Sequence, residues 1–157
     1  MSSPDRLIVG ITGASGVIYG RRLLEVLKNS PVETHLVMSK AAEMTIAYEL
    51  EEKPAALREL ADASYAAGDV GAAIASGSFR TLGMIVAPCS VRTMSEIATG
   101  VTSSLLTRAA DVVLKERRRL TLMIRETPLH VGHLRTMTAL AEMGAVIAPP
   151  LPAFYAA

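Results

Sequence analysis

The chain has 157 residues, of which 50% are hydrophobic and 20% are charged, and its formal net charge is +1 at pH 7. This length and balance are typical of one folded domain with a substantial core, so we expect a single domain over residues 1–157. A net charge near zero, without a basic patch interleaved with aromatic residues, argues against a nucleic-acid-binding protein.

The single cysteine, Cys89, cannot form a disulfide within the chain, which favours a reducing compartment. The sequence has no apolar run of the ~18 residues that a membrane span needs and no recognisable secretion leader. We therefore expect a cytoplasmic protein with no membrane span. The Ala-rich, weakly charged composition also favours a surface partly covered by further copies of the chain, which predicts a homo-oligomer.

Short runs rich in Val and Ile alternate with longer segments of helical periodicity along the chain. In the first such segment, Val17, Leu24 and Leu27 share one face of a helix. Residues 63–82 are rich in small side chains and lack a clear period, which predicts a long loop with at most a short helical piece. The predicted strands are 6–12, 33–39, 83–88, 120–124 and 145–148, and the predicted helices are 17–29, 40–52, 90–99, 104–118 and 130–143.

This alternation, with continuously apolar strands, predicts an α/β fold: a Rossmann-like three-layer α/β/α arrangement around a parallel sheet. Ligands of such sheets bind beyond the carboxyl ends of the strands. The polar and glycine residues of this otherwise apolar chain cluster at those ends. The residues that directly follow the strands are Gly13-Ala14-Ser15, Ser39-Lys40, Cys89-Ser90 and Arg125-Glu126.

The first of these loops, TGASG (12–16), leads from a strand into a helix, where unpaired backbone N–H groups favour an anion. It predicts a site for a phosphate or a ring, the alternative being a tight turn that needs no ligand. An NAD site is disfavoured because Ser39-Lys40 stands where that cofactor's ribose needs an acidic residue.

A second loop of the same kind is APCSVRT (87–93), in which Ser90 and Thr93 supply hydroxyls at a helix start. The alternative is simple helix capping by Ser90. Cys89 has no His near it in the sequence, so we expect a buried core residue rather than a nucleophile.

The segment RETP (125–128) follows a strand, so Arg125 is a candidate to clamp a phosphate and Glu126 to act as an acid or base. The alternative is a surface ion pair. His130 and His133 lack a third ligand, and we expect a structural or capping role and no metal site.

Three further features complete the set of candidates. The basic run LKERRR (114–119) predicts a solvated helix end at Arg117–Arg119, the alternative being that one charge of the run faces inward. SGS (76–78) is either a flexible loop or a backbone that closes over a ligand. The Pro-rich end of the chain predicts a rigid arm that carries Tyr155.

The order of these motifs resembles a known family. TGASG, SK, SGSF, PCSxxTMSxIATG, LLTRAADVVLKERR, RETPLHxGHL and PPLPAFY occur in that order over nearly the whole chain. The sequence is therefore identified as a member of the UbiX flavin prenyltransferases, formerly named phenylacrylic acid decarboxylases. Several of these motifs extend over ten residues or more, and together they are highly specific.

The resemblance implies a metal-independent transferase that joins the dimethylallyl group of dimethylallyl phosphate to N5 and C6 of reduced FMN. It further implies a homododecamer with sites at subunit junctions. The product, prenylated FMN, would serve a UbiD-type decarboxylase in ubiquinone biosynthesis or in aromatic acid decarboxylation.

The resemblance also assigns roles to individual residues. It implies that Ser15, Glu49 and Glu126 move protons. It implies that FMN is bound by Gly13, Ala14, Ser15, Ser39, Ser90, Val91, Arg92, Thr93 and Arg125. It implies that the substrate phosphate is bound by Arg108, Lys115 and Tyr155, some of them from a neighbouring subunit.

Two features depart from the family pattern. Members usually continue past AFY into a last helix with another basic residue, so the C-terminal segment of the family is expected to be missing after Ala157. Some members also carry a Trp before the SGS loop, and this chain has none.

Two alternative functions share the expected fold. An FMN-dependent decarboxylase of the cysteine-peptide or phosphopantothenoylcysteine type is disfavoured, because its glycine-loop His and its P-x-M-N motif are absent from this sequence. A non-enzymatic flavin-binding subunit is the third possibility.

Overall fold

The strands of the chain form one parallel sheet. In the computed structural model, which describes residues 2–156, they are β1 (Arg6–Ile11), β2 (Glu33–Met38), β3 (Ala63–Tyr65), β4 (Gly83–Cys89), β5 (Arg119–Ile124) and β6 (Val146–Ile147). Their order across the sheet is β3-β2-β1-β4-β5-β6, and every neighbouring pair is parallel. The predicted parallel sheet is therefore confirmed.

Helices lie against both faces of this sheet. They are α1 (Val17–Leu27), α2 (Lys40–Glu49), α3 (Pro54–Arg58), α4 (Val91–Thr99), α5 (Leu105–Lys115) and α6 (Val131–Glu142). The first three pack with β1 and β2 around one buried cluster, and the last three pack around another. This arrangement confirms the predicted three-layer, Rossmann-like α/β/α fold.

The continuous apolar character of β1 follows from burial on both sides of the sheet. Ile8 belongs to the cluster with α4, α5 and α6, whereas Val9 and Ile11 belong to the cluster with α1 and α2. Since successive side chains of a strand point to opposite faces, a strand covered on both faces needs apolar residues at every position.

Two short elements were not predicted. Strand β3 lies inside the segment 63–82, which was expected to be a loop, and helix α3 precedes it. With three and five residues, these elements are too short to produce a detectable period. The rest of that segment contains a 3-10 turn at Ala73–Ala75, which corresponds to the expected short helical piece.

Three helices end two or three residues before their predicted boundaries: α1 at Leu27, α2 at Glu49 and α5 at Lys115. The cause is visible for the last two. Glu51 has a φ of 53° and Arg117 a φ of 56°, a left-handed conformation that a right-handed helix cannot contain. Apolar periodicity alone carries no signal for such a stop.

The order of the strands defines where a ligand site is expected. From β1 the chain builds outward through β2 and β3, then returns to β4 on the other side of β1 and builds outward to β6. The carboxyl ends of β1 and β4 therefore flank the point where the winding reverses, which is where open α/β sheets bind ligands. Among the described residues, no helix is long and apolar enough to cross a membrane.

Candidate functional site

The glycine loop that follows β1 is shaped by close approaches to two other segments. Gly16 caps the N-terminus of α1 with a φ of 103°, and a Cβ there would lie 3.0 Å from Cδ of Arg125. A Cβ at Gly13 would lie 2.6 Å from Cβ of Ala41 in α2. Both positions therefore require glycine, which explains both glycines of the TGASG motif.

The carboxylate of Glu49 caps the helix that this loop begins. Glu49 ends α2, and its Oε2 accepts the backbone N–H of Gly16 at 2.9 Å and that of Val17 at 3.2 Å. The first N–H groups of a helix have no acceptor within the helix, and the helix dipole favours negative charge there. The capping contact therefore binds the end of α2 to the start of α1.

The structure brings three predicted site residues together at this point. Burial raises the pKa of the Glu49 carboxyl, but hydrogen bonds from Ser15, Gly16 and Val17 and the positive charge of Arg125 outweigh it. The net result is a pKa below the ordinary value for glutamate, so Glu49 is ionised at neutral pH. An ionised carboxylate beside a hydroxyl can accept a proton.

Arg125 and Glu126 follow β5, one strand further along the same edge. The Arg125 backbone N–H donates to the carbonyl of Cys89 at 3.2 Å, and its side chain extends to Gly16. Glu126 is exposed, and its carboxylate accepts the N–H of Thr127 at 3.1 Å. Arg125 is thus a cation at the mouth of the crevice between β1 and β4.

The two predicted serine positions both cap helices. Ser39 accepts the N–H of Ala42 at the start of α2, and Ser90 accepts the N–H of Thr93 at the start of α4. The Ser90 hydroxyl also contacts Oγ1 of Thr93 at 3.1 Å. Ser90 therefore caps α4, and the N-termini of α2 and α4 lie at the same ends of the strands as the glycine loop.

The other two members of the predicted Ser90–Thr93 set point elsewhere. Val91 packs against the core, and Arg92 is exposed and pairs with Glu96 at 3.3 Å on the surface of α4. Their side chains are thus occupied by packing and by an ion pair, and a cofactor would meet the backbone N–H groups of this turn first.

One polar residue at this edge was missed by the sequence analysis. Thr12 is 1% exposed, and its hydroxyl bonds the carbonyl of Pro88 at 2.7 Å and the N–H of Ser90 at 2.9 Å. It joins the loop after β1 to the loop after β4. A threonine at the end of an apolar run is a common strand residue, so the sequence carried no signal for this contact.

A second group of predicted residues lies on helix α5, which ends at the amino ends of the strands. Lys115 ends α5 just before β5 begins, so it lies at the amino ends of the strands. Its ammonium group pairs with Glu116 at 2.8 Å. Arg108 is exposed on the same helix, seven positions earlier and therefore on the same face. The fold does not bring these two residues to Ser15 of the same chain.

The SGS loop also lies at this end of the strands. The guanidinium of Arg118 donates to the carbonyls of Gly77 at 2.6 Å and of Phe79 at 2.9 Å. Arg118 therefore turns inward, whereas Arg117 and Arg119 are exposed, so the solvated helix end predicted for Arg117–Arg119 is correct for two of the three residues. The SGS backbone is held at the amino ends of the strands, away from the glycine loop of its own chain.

The remaining predictions concern residues with structural or peripheral roles. Cys89 is fully buried, and burial raises the pKa of its thiol to about 12, so it is a core residue as expected. His130 caps α6 and accepts the N–H of His133, which confirms the capping role. Tyr155 lies in a turn after the Pro-rich segment and is 95% exposed.

Comparisons with known proteins agree with this fold and its motifs. The family model of the Flavoprotein family matches residues 1–155. Flavin prenyltransferase UbiX of Escherichia coli is 60% identical over 151 residues, which cover 96% of this chain and 80% of that protein.

Solved structures extend the comparison to the backbone. The crystal structure of AnUbiX in complex with FMN and dimethylallyl pyrophosphate is 51% identical with a TM-score of 0.96, and the match covers 98% of this chain and 81% of that one. A dodecameric FMN-dependent UbiX-like decarboxylase from Escherichia coli is 52% identical with a TM-score of 0.94, over 96% of this chain and 82% of that one.

The identity extends over nearly the whole of the chain, and so does the agreement of the backbones. Both lead to the family that the motifs TGASG, PCSxxTMSxIATG and RETPLHxGHL indicated. The chain belongs to the flavoprotein family and, within it, to the UbiX flavin prenyltransferases.

Proposed function

We propose that this chain transfers the dimethylallyl group of dimethylallyl phosphate to N5 and C6 of reduced FMN and so forms prenylated FMN. The observation that carries the proposal is the cluster of Ser15, Glu49 and Arg125 at the crevice between β1 and β4. Membership of the UbiX flavin prenyltransferases supports the same reaction. FMN is the acceptor substrate here, and no step requires a metal.

The residues at the crevice fit an anionic flavin nucleotide. Within residues 2–156, the N–H groups of Gly13, Ala14 and Ser15 donate to no protein acceptor. Three helix N-termini, those of α1, α2 and α4, lie at this edge, and Arg125 adds a full positive charge. Backbone N–H groups, helix N-termini and arginine are the usual ligands of a phosphate. FMN would be bound by Gly13, Ala14, Ser15, Ser39, Ser90, Val91, Arg92, Thr93 and Arg125.

The reaction needs one leaving group and three proton transfers. The bond between C1′ and the phosphate oxygen breaks, the phosphate leaves with the bonding electrons, and C1′ bonds to N5, which loses a proton. The C2′=C3′ double bond of the prenyl group then takes up a proton at C2′, and C3′ bonds to C6, which loses a proton. Glu49 is ionised and contacts Ser15, so this pair can take up a proton at N5, and Glu126 can exchange one with the leaving phosphate.

We further propose that a second copy of the chain completes each site. Lys115 ends α5 at the amino ends of the strands, opposite the glycine loop of its own chain, and Arg108 lies two turns earlier on the same helix. Both are exposed on one face of α5, and Tyr155 is exposed in the tail. Cations delivered by a neighbouring copy would stabilise the negative charge that develops on the leaving phosphate. A homododecamer, as described for the Escherichia coli relative, provides such junctions.

The product is a cofactor, so a further enzyme has to receive it. We propose a UbiD-type decarboxylase as that recipient, acting in ubiquinone biosynthesis or on aromatic acids, with both proteins in the cytoplasm. Family membership supports this assignment.

Phosphate release tests the transfer. The protein is incubated anaerobically with reduced FMN and dimethylallyl phosphate, and inorganic phosphate is measured over time. We expect release only when both substrates are present and only with the reduced flavin. Release that is independent of flavin would identify a phosphatase and would contradict the proposal.

A further inference from the structure

The pairing between β1 and β4 stops before the two strands end. Its last paired residues are Gly10 and Val86, although β1 continues to Ile11 and β4 to Cys89. Pro88 lies in the unpaired part, and proline has no N–H to donate to a neighbouring strand. Beyond Gly10 and Val86 the two central strands are therefore no longer paired in the ladder, and one backbone bond, from the N–H of Thr12 to the carbonyl of Pro88, joins them at the end where the candidate site lies.

The hydroxyl of Thr12 bridges this gap. It donates to the carbonyl of Pro88 at 2.7 Å and accepts the N–H of Ser90 at 2.9 Å, and the Thr12 backbone N–H donates to the same carbonyl at 3.3 Å. The side chain is 1% exposed, so water does not compete for these bonds. One hydroxyl thus serves as both donor and acceptor between segments that are 76 to 78 positions apart in the sequence.

Thr12 and its partner Ser90 each adjoin a loop that would hold FMN. Gly13 follows Thr12 directly and begins the glycine loop, and Ser90 is the N-cap of α4. The position of one loop relative to the other therefore depends on this side chain. A second contact sets the same spacing further along, because a Cβ at Gly20 of α1 would lie 2.4 Å from the carbonyl of Ala87.

We propose that Thr12 is a positioning residue. It sets the distance between the glycine loop and the loop after β4 that contains Ser90, so that both can bind FMN, without itself touching the flavin. This inference rests on the proposed function, since it assumes that FMN binds in the crevice between β1 and β4. Valine has the shape of threonine but neither donates nor accepts a hydrogen bond. Thr12→Val therefore leaves the carbonyl of Pro88 and the N–H of Ser90 without this partner.

Thr34 provides a matched control near the amino-terminal ends of the strands. It is also 1% exposed, and its hydroxyl donates to Oδ2 of Asp62 at 3.0 Å and accepts the N–H of Asp62 at 3.1 Å. It lies near the start of β2, opposite Leu7 of β1. Thr34→Val therefore also removes one donated and one accepted hydrogen bond from a buried hydroxyl, at the end of the strands opposite the candidate site.

The test compares FMN affinity, measured by quenching of flavin fluorescence, with the thermal transition of each variant. We expect both valine variants to unfold at a lower temperature. Thr12→Val should in addition weaken FMN binding by about tenfold, because a buried group loses its partner. Thr34→Val should leave the affinity unchanged, and Thr12→Ser, which keeps the hydroxyl, should restore it.

Three results would overturn the inference alone: unchanged FMN affinity in Thr12→Val, an equal loss of affinity in Thr34→Val, or no recovery in Thr12→Ser. The second of these would mean that affinity simply follows stability. A wild-type protein that binds no FMN would instead refute the proposed function, and with it this inference. The two failures are therefore distinguishable in one series of measurements.

Discussion

Oε2 of Glu49 lies 2.9 Å from the backbone nitrogen of Gly16, so the last residue of α2 caps the first turn of α1. The same carboxylate contacts the Ser15 hydroxyl and lies within the field of Arg125. One side chain therefore fixes the loop that would hold a flavin and also places a proton acceptor beside the Ser15 hydroxyl. Changing this carboxylate to an amide separates its two roles.

Glu49→Gln should retain FMN and lose most of the transfer rate. The amide keeps an oxygen that can cap α1, but it cannot take up a proton, and loss of a general base typically slows a reaction by about a hundredfold or more. Single-turnover transfer with saturating FMN measures the effect. Glu43→Gln is the matched control, because Glu43 is on the same helix and pairs with Arg58 instead. Loss of FMN binding in Glu49→Gln would contradict the catalytic role.

Arg125→Ala should weaken FMN binding itself. The substitution removes the cation at the mouth of the crevice, and a charge-assisted bond to a phosphate is worth roughly tenfold or more in affinity. Arg125→Lys should recover only part of the affinity, because lysine keeps the charge but not the planar fork of donors. Arg22→Ala removes a largely exposed arginine from α1 and is the control. Equal affinity of Arg125→Ala and wild type would remove Arg125 from the phosphate site.

Mixed assemblies test whether each site uses two copies of the chain. Ser15→Ala and Lys115→Ala remove residues from opposite ends of the strands, and each variant alone should be nearly inactive. If a site takes Ser15 from one copy and Lys115 from another, random co-assembly leaves about a quarter of the sites with both residues intact. We therefore expect co-expressed variants to regain roughly that fraction of wild-type activity. A mixture no more active than the average of the two variants would contradict a shared site.

The pKa of Glu49 predicts the pH dependence of stability. Because the folded protein lowers this pKa below its ordinary value of 4.5, Glu49 contributes stability above pH 4.5, and this contribution is lost as the pH falls through the folded-state pKa. The difference in urea midpoint between wild type and Glu49→Gln should therefore be largest near neutral pH and shrink in acid. The pKa of Asp62 is lowered by hydrogen bonds from Thr34, so protonation of Asp62 should still reduce the stability of both proteins in acid. A difference that grows in acid would contradict this assignment.

The sequence predicts the sheet and its ligand-binding edge because both depend on local patterns. Continuous apolar runs such as residues 6–12 define buried parallel strands, and helix N-termini at Ser39 and Ser90 follow from capping chemistry. The positions of Ser15 and Arg125 at one edge then follow from the rule for parallel sheets.

Contacts between distant segments are what the sequence does not reveal. No local pattern indicates that Glu49 caps α1, that Thr12 bonds Ser90, or that Arg118 holds the SGS loop. Strand β3, with three residues, is fixed by its pairing with β2 rather than by its own composition. These features depend on tertiary packing, which overrides the weak local preferences of such short or polar segments.

The most direct measurement of the proposed activity is the mass of the flavin after turnover. The protein is incubated anaerobically with reduced FMN and an excess of dimethylallyl phosphate, then denatured, and the released flavin is analysed by mass spectrometry. We predict a species heavier than FMN by one five-carbon prenyl unit, absent from samples that lack either the protein or dimethylallyl phosphate. Recovery of only unmodified FMN from protein that binds both substrates would contradict the assignment as a flavin prenyltransferase.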